Sequence, residues 1–428
     1  MAQKLFDMGA NTLVNFSRQR GRMAWIIFLI LFGFFLTLIP FTFPYPAQSR
    51  NIPPEIRGVW LTNIDSDVLF TQKNVSEAIN TLADLNFNTI YPTVWNWGYT
   101  LYPSDVAESV IGKKLDPTEG LQGRDMLKEM IEQGHQKQMT VIPWFEFGFM
   151  APADSDLAQS HPNWLTQRQD NSTVWLEGNV HKRVWLNPLN PEVQEFITNL
   201  VTEIVTNYDV DGIQVDDHFG IPFDFGYDEV TVSLYQKEHE GKLPPTTPKT
   251  LRMGSNNCMV NDAAWTEWTQ WRANKITAYM KTLYSAIKAV KPNLIVSVSP
   301  NPQLFSANCF LLDWQSWEKQ GIIEELVLQV YRENLTDFQR ELASPEVQSA
   351  KAHIPFAVGV LSGLKGRPVS LKQMKTQVER TRQQAFDGVS FFFYESLWNF
   401  GKEPPKDRQQ GLKNLFLTKV ERPTIKRV

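Results

Sequence analysis

The strongest constraint on the fold of this sequence is a repeated alternation. From Glu55 onward, strand-like and helix-like segments follow one another eight times. The apolar run "IRGVWLTNI" (56–64) precedes "NVSEAINTLADLNF" (74–87), where Val75, Ile79, Leu82 and Leu85 recur at helical spacing. Further strands are expected at 88–95, 139–147, 212–215, 294–300, 325–331, 354–362 and 388–398. Helices are expected at 123–138, 190–208, 263–291, 313–321, 335–351, 370–386 and 403–418. Asn190 and Pro191 provide an N-cap and a first-turn proline for the third helix. Strict β/α alternation implies a parallel sheet with helical crossovers, and eight repeats fit a (β/α)8 TIM barrel. An open doubly wound sheet is the rival. It usually carries a Gly-rich phosphate turn after its first strand, and "GVWLTNIDSDV" is not one.

In a TIM barrel the active site lies at the C-terminal ends of the strands. The fourth strand, Gly212-Ile213-Gln214-Val215, runs directly into Asp216, Asp217 and His218. Carboxylates are costly in a core, but here they fall at the barrel mouth. The other strand ends supply Trp95, Asn96 and Trp97; Trp144 and Glu146; Ser299 and Asn301; Gln329 and Tyr331; Ser362; and Tyr394, Glu395 and Trp398. Aromatic faces suit sugar C–H surfaces, and carboxylates and amides suit hydroxyls. Two carboxyl groups across a bond are what glycoside hydrolysis requires. Strand alternation pairs Gln214 with Asp216, Trp144 with Glu146, Gln329 with Tyr331, and Phe393 with Glu395.

These residues support a two-carboxylate reading. Asp216 is expected to be nucleophile or base and Glu395 the proton donor, with Glu146 or Asp217 as substitutes. Trp95, Trp97, Trp144 and Tyr331 are candidate sugar platforms. Gln214, His218, Asn301, Gln329 and Trp398 are candidate substrate contacts. The bland alternatives are loop capping by Asp216-Asp217, ion-pair roles for Glu146 and Glu395, and a wall position for His218. Asp216, Asp217 and His218 also suggest a metal-dependent hydrolase. The chain has six histidines, however, and neither His-x-x-x-His nor His-Glu-x-x-His. No cofactor is expected. A carbohydrate-binding barrel without turnover is the remaining alternative.

Residues 24–43, "AWIIFLILFGFFLTLIPFTF", carry no charge and as a helix would rise roughly 30 Å, enough to cross a bilayer core. Arg18, Arg20 and Arg22 precede them, so the positive-inside rule places 1–23 in the cytoplasm and the rest across the membrane. A cleaved signal peptide is the alternative to an anchor. Residues 44–54 then form a Pro-rich spacer, 55–420 the barrel, and 421–428 a tail. The net charge of −4 offers no basic footprint for nucleic acid. A polysaccharide and the membrane are the expected partners; the sequence is silent on oligomeric state.

The two cysteines lie in loops after adjacent strands on one barrel face, Cys258 after the fourth and Cys309 after the fifth. A disulfide between them is expected in an oxidising compartment, worth roughly 3–4 kcal/mol in the chain-entropy model. Two separate thiols are the alternative.

Several segments, in order, resemble a known family. "EIRGVWLTN", "NTIYPTVW", "WLNPLNPEVQEFI", "YDVDGIQVDDHFG", "SVSP", "LQVY" and "ES" are similar to the glycosyl hydrolase-like 10 family over about residues 54–400. The resemblance implies a (β/α)8 barrel in a bacterial envelope protein. It also implies activity on peptidoglycan glycan strands stripped of peptide. The family's Asp-Gly-x-x-x-Asp-Asp falls on Asp211, Gly212, Asp216 and Asp217, its Gln-x-Tyr on Gln329 and Tyr331, and its eighth-strand acid on Glu395. "DGIQVD" also resembles the fourth strand of α-retaining barrel hydrolases, whose nucleophile would fall on Asp216. Those enzymes carry their donor on strand five or six, and strand five here has no acid. Glu146 stands where some relatives have Asn.

Overall fold

Strand β1 (Ile56–Leu61) pairs in parallel with both β2 (Thr89–Asn96) and β8 (Gly388–Phe392), closing a ring. Between them stand β3 (Trp144–Phe145), β4 (Gly212–Asp216), β5 (Ile295–Ser299), β6 (Glu325–Gln329) and β7 (Phe356–Leu361), each parallel to its neighbours. This eight-stranded parallel barrel is seen in a computed structural model that describes residues 52–248 and 258–425. The expected bilayer-spanning segment 24–43, its flank 1–23 and most of the 44–54 spacer lie outside the described residues. Among the described residues no helix is long and apolar enough to cross a membrane.

Helices α1 (Gln72–Asp84), α2 (Met126–Gln136), α3 (Pro191–Asn207), α4 (Ala263–Val290), α5 (Trp314–Lys319), α6 (Pro345–His353), α7 (Leu371–Gln383) and α8 (Pro405–Leu415) follow the strands in turn. Asn190 caps α3 by accepting from the Glu192 N–H, and Pro191 occupies its first turn, so the local signals act as expected. Three boundaries differ from the sequence expectation. The third strand is in two pieces, Thr140–Val141 and β3, on either side of Pro143, whose missing N–H interrupts the ladder. The helix expected over 335–351 is split before Pro345. The eighth strand ends at Phe392, not at 398. Beyond it Ser396 Oγ accepts the Phe393 N–H at 2.9 Å, and a 3₁₀ turn (Glu395–Leu397) begins.

The barrel interior is aromatic at mid-height. Trp60 lies 5.6 Å from Tyr91, 6.1 Å from Trp144 and 6.1 Å from Phe392 between ring centroids. Gly359 opposite leaves room for the indole, since a Cβ there would stand 3.3 Å from Trp60. Below them the interior is polar. Gln214 accepts from Trp60 Nε1 (2.7 Å) and donates to Ser297 Oγ (2.9 Å). Ser297 in turn donates to Glu325 Oε1 (2.8 Å), which also accepts from the Tyr91 hydroxyl (3.0 Å).

The chain's last described residues close the barrel floor. Asn86 and Asn88, which precede β2, hold the carbonyls of Phe416 and Val420, and the Glu55 N–H donates to the Glu421 carbonyl. Arg422 then enters from below and forms an ion pair with the fully buried Glu325. The boundary at 420 therefore excludes a residue that fills the barrel. Polar groups buried in a core need partners, and a carboxylate at this depth required a cation that the strand segments do not supply.

A disulfide joins Cys258 to Cys309, with Cα atoms 5.2 Å apart. It ties the long segment after β4 to the helix Gln303–Phe310. That helix also receives the Ile221 and Phe223 N–H groups on its last carbonyls, 2.9 and 3.0 Å. Replacing both cysteines with Ser is expected to cost about 3 kcal/mol of unfolding free energy. Alkylation without reductant should add no alkyl group to the chain recovered from an oxidising compartment. Two added groups there would refute the bond.

Candidate active site

Glu146 follows β3 with an apolar neighbour on each side. Its side chain is buried, and Oε2 accepts three hydrogen bonds: from Thr62 Oγ1 (2.7 Å), Asn96 Nδ2 (2.9 Å) and Thr93 Oγ1 (3.0 Å). Burial pushes its pKa up to about 7. The Asp216 charge adds to this against the threonine hydrogen bonds and His218. All three donors fall on one oxygen, which leaves Oε1 to carry the proton of the acid form.

Asp216 ends β4 and is also buried. Oδ2 accepts from Trp144 Nε1 at 2.7 Å and Ser299 Oγ at 3.3 Å, while Oδ1 accepts the Asp217 N–H at 2.6 Å. Burial raises its pKa, opposed by the hydrogen bond and charge of His218 and by the Trp144 hydrogen bond. Asp217 begins the 3₁₀ turn that follows β4 and accepts from Asn301 Nδ2 at 2.5 Å. Gln329 Nε2 reaches both carboxylates, at 3.5 Å from Asp216 and 3.4 Å from Asp217.

His218 joins the two acids. Its Nδ1 lies 3.0 Å from the Glu146 carbonyl, 3.4 Å from Asp216 Oδ1 and 3.5 Å from Asp217 Oδ1. Burial acts against its charged form, but the hydrogen bond and charge of Asp216 prevail and its pKa is raised. Gly148 permits this approach. It has φ +51°, and a Cβ there would lie 2.6 Å from the His218 carbonyl oxygen. One ligand atom from each of Asp216, Asp217 and His218 lies within 4.8 Å of the others, close enough to suggest a metal. The donor set fits one poorly. His218 Nδ1 faces a carbonyl acceptor and so carries a proton, and the carboxylate oxygens are engaged by Trp144, Asn301 and a backbone N–H.

Several expected contacts are placed differently. Trp95 is fully buried and points outward. Its Nε1 donates to the Gly148 carbonyl at 2.9 Å, and its ring meets Phe196 of α3 at 5.7 Å. The cause is a break in the β2–β3 register between Thr93 and Trp95, which turns Asn96 toward Glu146 in its place. Trp144 is inside the barrel, 2% exposed, and serves Asp216 as a hydrogen-bond donor instead of offering a sugar face. Gln214 is sealed below it. Glu395 opens the 3₁₀ turn, where Asn399 binds its carboxylate. The expected pairing with Phe393 assumed a continuing strand. Trp398 meets Tyr394 edge-on at 5.8 Å, and the Tyr394 hydroxyl reaches Trp398 and Thr81 of α1. Tyr394 and Trp398 therefore sit toward α1, and none of the contacts around Asp216 involves Glu395 or Trp398.

Trp97 remains at the mouth. It is 43% exposed at the tip of a two-residue hairpin in which Trp97 and Gly98 both have positive φ, the requirement of a type I′ turn. Tyr331 stacks on Phe392 at 5.3 Å, and burial pushes its phenol well above the usual range, with the Asp216 and Glu146 charges adding to the shift. Thr62 and Thr93 were missed in the sequence, although alternation places them two residues beyond Trp60 and Tyr91. Asp211 of the family motif lies at the opposite end of β4, accepting from the Val141 N–H (2.7 Å) and facing His135 Nε2 (3.0 Å). It joins strands and does not enter the site.

A closed parallel barrel with a buried pair of acids at its mouth places the protein in the class of barrel glycoside hydrolases. The chain belongs to the glycosyl hydrolase-like 10 family, whose model matches residues 55–379. It is 23% identical to the glycosyl hydrolase DigH of Escherichia coli (strain K12) over 329 residues, 67% of each chain. It is 24% identical to the glycosyl hydrolase YngK of Bacillus subtilis (strain 168) over 303 residues, 66% of this chain and about half (51%) of YngK. Among solved structures, the PgaB (BpsB) glycoside hydrolase domain from Bordetella bronchiseptica aligns with 86% of this chain and 100% of its own, at 12% identity and TM-score 0.60. The catalytic domain of β-amylase from Paenibacillus polymyxa aligns with 86% and 100%, at 10% identity and TM-score 0.56. Likeness at such identities speaks for the fold.

Proposed function

We propose that this enzyme hydrolyses a cell-envelope polysaccharide outside the cytoplasm, held to the membrane by residues 24–43, with Glu146 as proton donor and Asp216 as nucleophile or base. The observation that carries the assignment is the contrast between the two buried acids. Glu146 is pushed up to about 7 by burial and by the Asp216 charge, so much of it is protonated near neutral pH. Asp216 receives Trp144, Ser299 and a backbone N–H, and faces His218, all of which favour its charged form. Burial raises both acids, but at Asp216 it is opposed by the hydrogen bond and charge of His218 and by the Trp144 hydrogen bond, and unequal environments of this kind assign donor and partner.

Glu146 would give the Oε1 proton to the leaving glycosidic oxygen as that bond breaks. The Asp216 carboxylate, or a water it activates, would take the anomeric carbon. Gln329 and Asn301 hold Asp216 and Asp217 in register, and Trp97 and Tyr331 would offer faces to the sugar. Glu146 thus replaces Glu395 in the donor role.

Peptidoglycan glycan stripped of peptide is the first substrate to test, because the envelope is where an anchored barrel would work. Carbonate-washed membranes from cells producing the full chain should release soluble saccharides from it. The donor must be protonated and Asp216 ionised. The rate should therefore fall as pH rises through an apparent pKa of about 7, and fall again at acid pH as Asp216 takes up a proton. Activity recovered only in the soluble fraction would refute the anchor. A rate still climbing through pH 9 would refute the donor.

A further inference from the structure

The ends of β6, β7 and β8 line a cavity of about 290 Å³ on the same face of the barrel as the acids. Arg332 comes from the segment after β6, Arg367 from the short hairpin after β7, and Lys402 from the segment after β8. Glu333 is the one carboxylate in its lining, so the wall carries three cations against one anion. The mouth beside it is the reverse, with Glu146, Asp216 and Asp217 gathered there.

Backbone contacts hold the segments that carry these side chains. The Arg332 carbonyl accepts from Gln377 Nε2 at 2.9 Å and from Gln373 Nε2 at 3.2 Å, both on α7. Lys402 N–H donates to the Val369 carbonyl at 3.3 Å, and Val369 bridges to Gly401, joining the segments after β7 and β8. The cations are only partly compensated. Arg332 pairs with Glu341 at 3.0 Å and Arg367 with Glu333 at 2.9 Å, while Lys402 is exposed and makes no ion pair among the described residues. The N-terminus of α7 does not compete for an anion, because Glu403 already accepts the Leu371 N–H at 2.9 Å.

A row of aromatic rings runs from the residue beside Arg332 to the acid site. Tyr331, next to Arg332, stacks on Phe392 at 5.3 Å, Phe392 lies 6.3 Å from Trp144, and Trp144 holds Asp216 at 2.7 Å. A saccharide crossing Tyr331 would bring a substituent of a neighbouring ring to Arg332, Arg367 and Lys402.

We propose that this cavity binds an anionic oxyacid group, a carboxylate or a phosphate, borne by the polysaccharide in the acid-lined mouth. The assignment rests on the polysaccharide reading above and narrows it to acidic glycans. Guanidinium forks match such groups, and lysine adds a point charge. Peptidoglycan glycan freed of peptide carries one such carboxylate on each muramic residue. A phosphodiester polymer would present the same chemistry.

The test uses the full chain in two arms. In the first, the Asp216→Asn form is titrated with N-acetylmuramic acid, with N-acetylglucosamine as the ring lacking the carboxylate, and with inorganic phosphate. Binding of N-acetylmuramic acid or phosphate, but not N-acetylglucosamine, is expected. Adding Arg367→Gln and Lys402→Gln should weaken it roughly ten-fold or more, the loss of one to two charge-assisted hydrogen bonds. Preference between the two anions identifies which source the site takes. Failure to bind either anion, or equal binding by the neutralised variant, overturns the proposal.

In the second arm, the chain with native Asp216 hydrolyses peptide-free glycan and the same glycan with its carboxyl groups reduced to alcohols. Arg367→Gln with Lys402→Gln should raise KM for the acidic glycan roughly ten-fold with little change in kcat. That disadvantage should disappear on the reduced glycan. An unchanged KM overturns the proposal. Anion binding without any glycan hydrolysis would instead sink the polysaccharide reading and leave the anion site standing.

Discussion

Glu146→Gln is expected to slow hydrolysis of an unactivated glycan by roughly 10²–10⁴-fold, the usual contribution of a positioned general acid. The substitution keeps the shape of the side chain and can keep an acceptor for Thr62, Thr93 and Asn96. It also removes a buried charge that burial already disfavours, so the fold should tolerate it. Much of the lost rate should return on aryl glycosides, whose leaving groups need no proton. The alkaline limb near pH 7 should vanish with the donor. Asp216→Asn should lose at least as much and regain nothing on aryl glycosides, because no leaving group replaces a nucleophile or base. Glu395→Gln is the discriminating control. Its carboxylate is bound by Asn399 and makes none of the contacts around Asp216, so a loss beyond a few-fold, coupled with rescue on aryl glycosides, would return the donor role to Glu395.

The two acids were unequally legible in the sequence. Asp216 could be located because its strand is short, buried and regular, and period-two alternation counts correctly along such a strand. The same counting placed Glu146 with Trp144. Its importance was hidden because its three donors come from two other strands, and only the closed barrel brings them together. Alternation failed in two places, each for a local reason. In β2 the register break sends Trp95 outward and Asn96 inward. After Phe392 the Ser396 hydroxyl takes the Phe393 N–H and starts a turn, so Glu395 no longer shares a face with the strand residues before it. A bulge and a side-chain-capped turn are single-residue events with weak sequence signals. The barrel itself is eight repeats long, so such errors did not obscure it.

Arg422→Met is expected to destabilise the barrel by about 3–5 kcal/mol, the cost of stranding one member of a buried ion pair. Glu325 is fully buried and takes hydrogen bonds from Ser297 and Tyr91 as well as Arg422. Without the guanidinium, those two hydroxyls alone face a carboxylate that burial disfavours. The column above it, through Ser297 and Gln214 to Trp60, would lose its fixed donor order. The effect should be non-additive. Glu325→Gln with Arg422→Met should recover much of the loss, because an amide can serve Tyr91 and Ser297 without a charge. Denaturant unfolding of the two single variants and the double variant measures the coupling. An Arg422→Met chain within 1 kcal/mol of the parent in that cycle would show that the tail is an appendage and not the barrel floor. The expected loss has a direct structural corollary. The strands end at Phe392, but the barrel lacks its buried countercharge until the chain has passed Arg422, thirty residues later. A chain cut after α8 would therefore keep every strand, helix and acid of the site and still leave Glu325 unpaired beneath them.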